Sequence, residues 1–199
     1  MKKFLLSMIL LLPLSGLWAD QLEDVYARIS ARPVTKGELA QEQYIKVANR
    51  SLISKGTFVM AADKGVIFDI TEPFPSSMVV TEDKLVQTLP GDVVSVMDGK
   101  ENATFKNIAK IIHSVFANDV QVLRENFQVT VTGGPKDVVS LVPKDPLLSM
   151  LFLKITLTVG DSIDSVSVIE AGGNWVNYTL NNKTFPEKLT EDEEQRLAQ

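Results

Sequence analysis

Along most of this chain polar and apolar residues alternate with a period of two, and Gly, Pro, Asn and Asp interrupt the alternation every few residues. Successive side chains of a strand point to opposite faces, so each such run buries one face and wets the other. Short strands joined by tight turns pair with their sequence neighbours, which predicts an antiparallel meander and not βαβ units. Lys55 to Ala62 places Phe58 and Met60 on one face, and after the turn Asp63-Lys64-Gly65 the residues Val66, Phe68 and Ile70 share another. Met78 and Val80 mark the next strand, and Lys84 to Leu89 is its hairpin partner. Strands resume at Phe127 to Thr132, Val138 to Val142, Leu147 to Val159, Ile163 to Glu170 and Trp175 to Leu180. In the third of these, Leu151, Leu153, Ile155, Leu157 and Val159 point one way. An earlier strand from Thr35 is more polar: Leu39, Gln41, Gln43, Ile45 and Val47 alternate with Glu38, Ala40, Glu42, Tyr44 and Lys46, which predicts half exposure.

Four segments read as helical instead. Leu22, Val25, Tyr26 and Ile29 recur at helical spacing until Pro33. Phe105, Ile108, Ile111, Ile112, Val115 and Phe116 form the strongest stripe, with Asn102 or Thr104 able to cap its start. A shorter helical turn fits Val120 to Glu125, and the acidic tail from Glu187 to Gln199 reads as a loose terminal helix.

Met1 to Ala19 has the layout of an export signal: Lys2 and Lys3, an apolar run from Phe4 to Leu14, then Pro13 and Gly16 ahead of Leu17-Trp18-Ala19. The run is shorter than the roughly 20 apolar residues of a spanning helix. Cleavage after Ala19 is expected, leaving residues 20–199 as one periplasmic domain. Taking Lys2 and Lys3 from the 20 basic residues leaves 18 against 25 acidic ones, a net −7. That charge excludes nucleic acid, whose phosphates demand a basic surface, and limits membrane contact to a transient one. The chain has no cysteine, so disulfides, thiol catalysis and thiolate metal sites are excluded together.

Recognisable catalytic apparatus is lacking. His113 is the only histidine, so no triad with a second histidine or a cysteine can be assembled, and no His-based metal cluster. Phosphate loops, nucleophile elbows and dinucleotide fingerprints are missing. The acidic pairs, as at Glu82-Asp83 and Glu191 to Glu194, fall in turns and the tail and read as solvated surface. No enzyme activity and no cofactor are expected. What remains is apolar surface, and it reads either as an ordinary packed core or as a sheet around a helical plug with a removable lining. Met and Phe suit such a lining because they repack around variable guests.

The order of Ser54-Lys55-Gly56-Thr57-Phe58-Val59-Met60, Lys64-Gly65-Val66-Ile67-Phe68-Asp69, Glu72-Pro73-Phe74-Pro75 and Ser77-Met78-Val79-Val80 resembles the outer-membrane lipoprotein carrier family, LolA and its relatives. The hairpin Leu153-Lys154-Ile155-Thr156-Leu157 into Val166-Ser167-Val168-Ile169 is similar to that family too. The resemblance implies an α+β, mostly β fold: an incomplete antiparallel β-barrel, a curved sheet of about eleven strands, covered by helices. It implies a monomeric carrier that shelters acyl chains of lipoproteins and passes them from an inner-membrane exporter to an outer-membrane receptor. On this sequence the implied lining is Phe58, Met60, Val66, Phe68, Ile70, Met78, Val80, Ile108, Ile112, Phe116, Leu151, Leu153 and Ile155. Family members often carry an Arg linked to lid closure where this chain reads Ala61-Ala62-Asp63-Lys64, which leaves Lys64 as the gating cation, and Phe68 stands in place of the usual Trp. A dedicated envelope lipid or glycolipid carrier and a periplasmic adaptor that senses lipoproteins are the alternative functions.

Overall fold

The computed structural model describes residues 17–90, 92–98, 103–117 and 119–198. Eleven strands form one open sheet: β1 Val34–Ile45, β2 Arg50–Ala61, β3 Gly65–Glu72, β4 Ser76–Val80, β5 Lys84–Leu89, β6 Asp92–Asp98, β7 Phe127–Thr132, β8 Asp137–Pro143, β9 Phe152–Val159, β10 Ile163–Glu170 and β11 Trp175–Thr184. Their order is β6-β5-β4-β3-β2-β1-β11-β10-β9-β8-β7, antiparallel throughout. The first and last strands meet in the middle, and β6 and β7 are left as unpaired edges. The sheet therefore does not close into a barrel, as the resemblance implied.

Among the described residues five α-helices accompany it: α1 Leu17–Ser30, α2 Ala103–Phe116, α3 Val120–Asn126, α4 Pro146–Ser149 and α5 Glu191–Ala198. The expected export signal lies outside the described residues as far as residue 16, and so does Asn102, one of the two expected caps of α2; the other, Thr104, lies inside the helix. One face of the sheet is covered by α1, α2 and α3. Leu22, Val25 and Tyr26 of α1, Ile111 and Val115 of α2, and Leu123 of α3 pack there with Phe58, Phe68, Leu157 and Val166 in the main core. The Tyr26 hydroxyl donates to the Val115 carbonyl at 3.1 Å and ties α1 to α2. Burial pushes that phenol well above its ordinary pKa, so it stays a neutral donor.

The opposite face belongs to the tail. Leu197 of α5 covers Ala61, Ile67 and Val79 in a second cluster. This explains why Gly65 to Phe68 is buried residue after residue and does not alternate. The tail is not loose. Thr190 and Glu193 exchange backbone and side-chain bonds of 2.7 and 3.3 Å in a capping box. Arg196 grips Asp69 through both guanidinium nitrogens at 2.9 and 2.6 Å and donates to Ser77 at 2.8 Å. Lys36 holds the Glu193 carboxylate at 2.7 and 2.5 Å.

Gly56 sits where the backbone of β2 runs close against that of β3. A Cβ at this position would lie 1.9 Å from the Asp69 carbonyl oxygen, beside the register shift between Lys55 and Gly56. Only glycine lets the two backbones approach this closely.

Two further expectations are corrected. Leu147 to Val159 is not one strand. Asp145 accepts from the Leu147 and Leu148 amides at 2.7 and 3.2 Å with Pro146 following, so α4 precedes β9. In β9 the pairing slips so that Phe152 faces Glu170 while Lys154 faces Ile169, leaving Leu153 as the extra residue of a bulge. The slip reverses the alternation: Phe152 is buried and Leu153 is 50% exposed. Leu151 sits before the strand at 45% exposure, so neither leucine shares the face of Ile155 and Leu157.

Candidate functional site

In an antiparallel ladder, residues directly opposite each other lie on the same face. Register pairs therefore trace the helix-covered face from strand to strand. Ser54 opposes Gln41, Gln41 opposes Tyr178, Tyr178 opposes Val166, Val166 opposes Leu157, Leu157 opposes Val139, and Val139 opposes Val131. The row is apolar on β7 to β10, where α1 and α3 cover it. It becomes amphipathic at β11, β1 and β2.

A cleft of about 280 Å³ opens there. Its floor is Phe68 and Ile70 on β3, Met78 on β4 and Tyr178 on β11, and its walls include Gln41, Gln43, Ser54, Ser76 and Gln87. Leu52, Pro73, Phe74 and Leu89 line it at the end of the sheet that carries the β1–β2 and β3–β4 connections. Phe68 stacks on Tyr178 with ring centroids 5.4 Å apart and meets Phe116 of α2 edge-on at 6.4 Å. The same phenylalanine is thus both cleft floor and seat of the central helix. Burial raises the Tyr178 phenol, and Glu170 adds to the effect, so this wall is neutral as well.

Of the expected lining, Phe68, Ile70 and Met78 line this cleft. Phe58, Met60, Val66, Phe68 and Ile155 are buried in the main core, Ile70, Met78 and Phe116 pack against it half-buried, and Val80 is buried on β4. Ile112 is half-buried on α2. Ile108 falls on α2, and its side chain lies outside the described residues. Leu151 and Leu153 stand apart for the reasons given above. Lys64 binds Glu194 of α5 at 3.0 Å. The cation expected to gate α2 is thus a contact of the tail helix, because the turn that carries it meets α5. The polar part of the cleft was not anticipated. Gln41 and Gln43 share the parity of the buried Leu39, which was the available signal.

His113 lies on α2 and is half-buried. Burial is the largest influence on it and lowers its pKa below the ordinary histidine value, against the pull of Glu82, Asp119 and Asp63. Large apolar side chains are exposed on the connections at the cleft end: Val47, Phe74, Leu147, Met150 and Leu151. The loops at the other end are instead polar, as in Ala62-Asp63-Lys64 and Thr81-Glu82-Asp83.

The family model of outer membrane lipoprotein carrier protein LolA matches residues 34–193. No curated protein sequence matches the chain. Among solved structures, a domain from Vibrio parahaemolyticus described as an outer membrane lipoprotein-sorting protein aligns at TM-score 0.50 and 10% identity, covering 93% of this chain and 100% of that one. The LolA superfamily protein NE2245 from Nitrosomonas europaea aligns at TM-score 0.47 and 10% identity, covering 88% and 99%. In the Pseudomonas aeruginosa MucA/MucB complex the values are 0.48 and 11%, over 87% of this chain and 60% of that one. This chain thus spans about three fifths of that longer protein.

Proposed function

Since the chain belongs to the family of the outer membrane lipoprotein carrier protein LolA, we propose that it is a periplasmic carrier and not an enzyme, sheltering acyl chains between the sheet and α2 while they cross from inner to outer membrane. The observation that carries this reading is the double role of Phe68, which floors the open cleft and seats Phe116 of α2. Space for a ligand and space for the helix adjoin at one side chain.

The physical demands are specific. Each methylene withdrawn from water contributes about 0.8 kcal/mol, so a long acyl chain left in solution is strongly unfavourable. A closed binding site of that strength would not release its cargo. The cleft, at about 280 Å³, falls just below the roughly 300–1,000 Å³ of sites that enclose a drug-sized ligand. A full acyl chain therefore requires α2 to withdraw, and the apolar stripe of α2 competes with the cargo for one lining. Net affinity stays modest, and handover to an outer-membrane receptor needs only a small difference in free energy. The exposed Val47, Phe74, Leu147, Met150 and Leu151 at the cleft end suit brief contact with a bilayer, where apolar side chains are tolerated.

Titration of the mature protein with a fluorescent fatty-acyl probe tests this. Saturable binding near one probe per chain is expected, weakened by Phe68→Ala at a temperature where the variant remains folded. No binding by the wild type would reject the carrier reading.

A further inference from the structure

The cleft is lined by fourteen residues, and none of them is Lys, Arg, Asp or Glu. Three are glutamines, Gln41, Gln43 and Gln87, and among the serines Ser54 directly opposes Gln41 across the β1–β2 pair. Among the described residues, the side chains of Gln41, Gln43, Gln87 and Ser54 form no hydrogen bond within the protein. Each glutamine brings two donors and an acceptor to the cleft, and the serine a hydroxyl that does both. Below them lie Phe68, Ile70 and Met78. Arg50 has the same parity on β2 but is exposed at its first residue and does not line the cleft.

Resting on the carrier reading, we infer that Gln41, Gln43, Gln87 and Ser54 form a headgroup subsite for the neutral carbonyl and hydroxyl groups at the polar end of an acyl ligand. Ester, amide and sugar hydroxyl groups satisfy amide side chains in both directions. A phosphate or carboxylate placed there loses hydration and finds no cation, which is costly in a partly enclosed site. The first methylenes of the same ligand then rest on Phe68 and Met78. The subsite sorts neutral-headed acyl compounds from anionic phospholipids, a discrimination that the apolar lining cannot supply.

Two ligand sources share this chemistry: the acyl-linked end of a lipoprotein and a neutral glycolipid. Competition against the fluorescent acyl probe separates them, using an acylated peptide, an alkyl glucoside, an alkyl phosphate and a fatty acid of equal chain length. The two neutral compounds are expected to compete about tenfold more strongly than the two anions, one well-placed polar group being worth about 1.4 kcal/mol. The stronger of the two neutral competitors names the source. Gln41→Leu/Gln87→Leu is expected to bring all four within about twofold. Equal competition by anions in the wild type, or an unchanged preference in the double variant, would overturn the subsite. Probe binding that persists in either case leaves the carrier reading standing, whereas no binding by any compound removes both.

Discussion

The ring of Phe116, in the last turn of α2, meets the ring of Phe68 on β3 edge-on, with centroids 6.4 Å apart at 69°. An aromatic pair of this geometry contributes about 0.5–1.5 kcal/mol beyond its area burial. The contact is strong enough to seat the helix and weak enough to be exchanged for a ligand. Phe116→Ala is therefore expected to do two things together. It should lower stability by about 2 kcal/mol, less than a fully buried Phe loses, because Phe116 is half-buried. It should also tighten acyl-probe binding severalfold, since the competitor for the lining is weakened. Thermal denaturation and probe titration on one preparation check both; loss of stability with loss of binding would show Phe116 to be core alone.

Neighbouring leucines of β9 should behave oppositely. Leu157 is 0% exposed and Leu153 is 50% exposed. Leu157→Ala is expected to cost about 3 kcal/mol by leaving a cavity, whereas Leu153→Asp should change stability by about 0.5 kcal/mol or less, as surface substitutions do. Urea denaturation of the pair tests the bulge directly.

The tail helix should detach in acid before the sheet unfolds. Burial works to raise the pKa of Asp69, but the bonds from Arg196 and Ser77 and the charge of Arg196 outweigh it and hold the carboxyl below the usual range. Burial likewise opposes, and Lys36 and Thr190 overcome, the same shift at Glu193. Folded-state values below the unfolded ones mean that this stabilisation is complete above about pH 5 and is lost as pH falls through the lowered values. Asp69→Asn should remove about 1–2 kcal/mol at neutral pH and flatten the acid limb. Hydrogen exchange of residues 191–198 against pH reads the detachment.

The seat of α2 should respond at milder pH. The folded state binds a proton at His113 more weakly than the unfolded chain does, because burial disfavours the charged ring. Stability from this group is then present above about pH 6.5 and declines below it. His113→Gln is expected to remove that part of the pH dependence, followed by thermal denaturation between pH 5 and pH 8.

The exposed apolar connections at the cleft end should govern bilayer contact. Phe74→Asp/Met150→Asp is expected to reduce co-sedimentation with phosphatidylethanolamine vesicles severalfold while leaving the melting temperature within a few degrees, because both side chains are exposed.

Strands with clean alternation and turn residues at both ends were legible in the sequence, as Lys84 to Leu89 and Ile163 to Glu170 show by matching β5 and β10. β6 was not, since Val93-Val94-Ser95-Val96 offers too short a period to separate from a loop. The bulge at Leu153 was hidden because a one-residue slip leaves the local pattern intact while reversing which side chains face inward. The start of α4 did carry a signal, Asp145 followed by Pro146, that the alternation around it masked. The docking of α5 depends on Lys36 and Asp69, more than a hundred positions from their partners, and no local pattern reports such pairs. The apolar half of the cleft was readable from Phe68, Ile70 and Met78. The glutamine wall was not, because a polar residue on an inward parity looks like exposure until its strand is placed in the middle of the sheet.

Native mass spectrometry of the protein purified gently from its own cell envelope, followed by lipid extraction, tests the carrier account most directly. A stoichiometric adduct that yields acyl chains on extraction is the predicted result, with an adduct fraction that falls in Phe68→Ala. A clean unliganded mass, together with no saturable binding of a fluorescent acyl probe, would contradict it and leave the space beneath α2 as packed core.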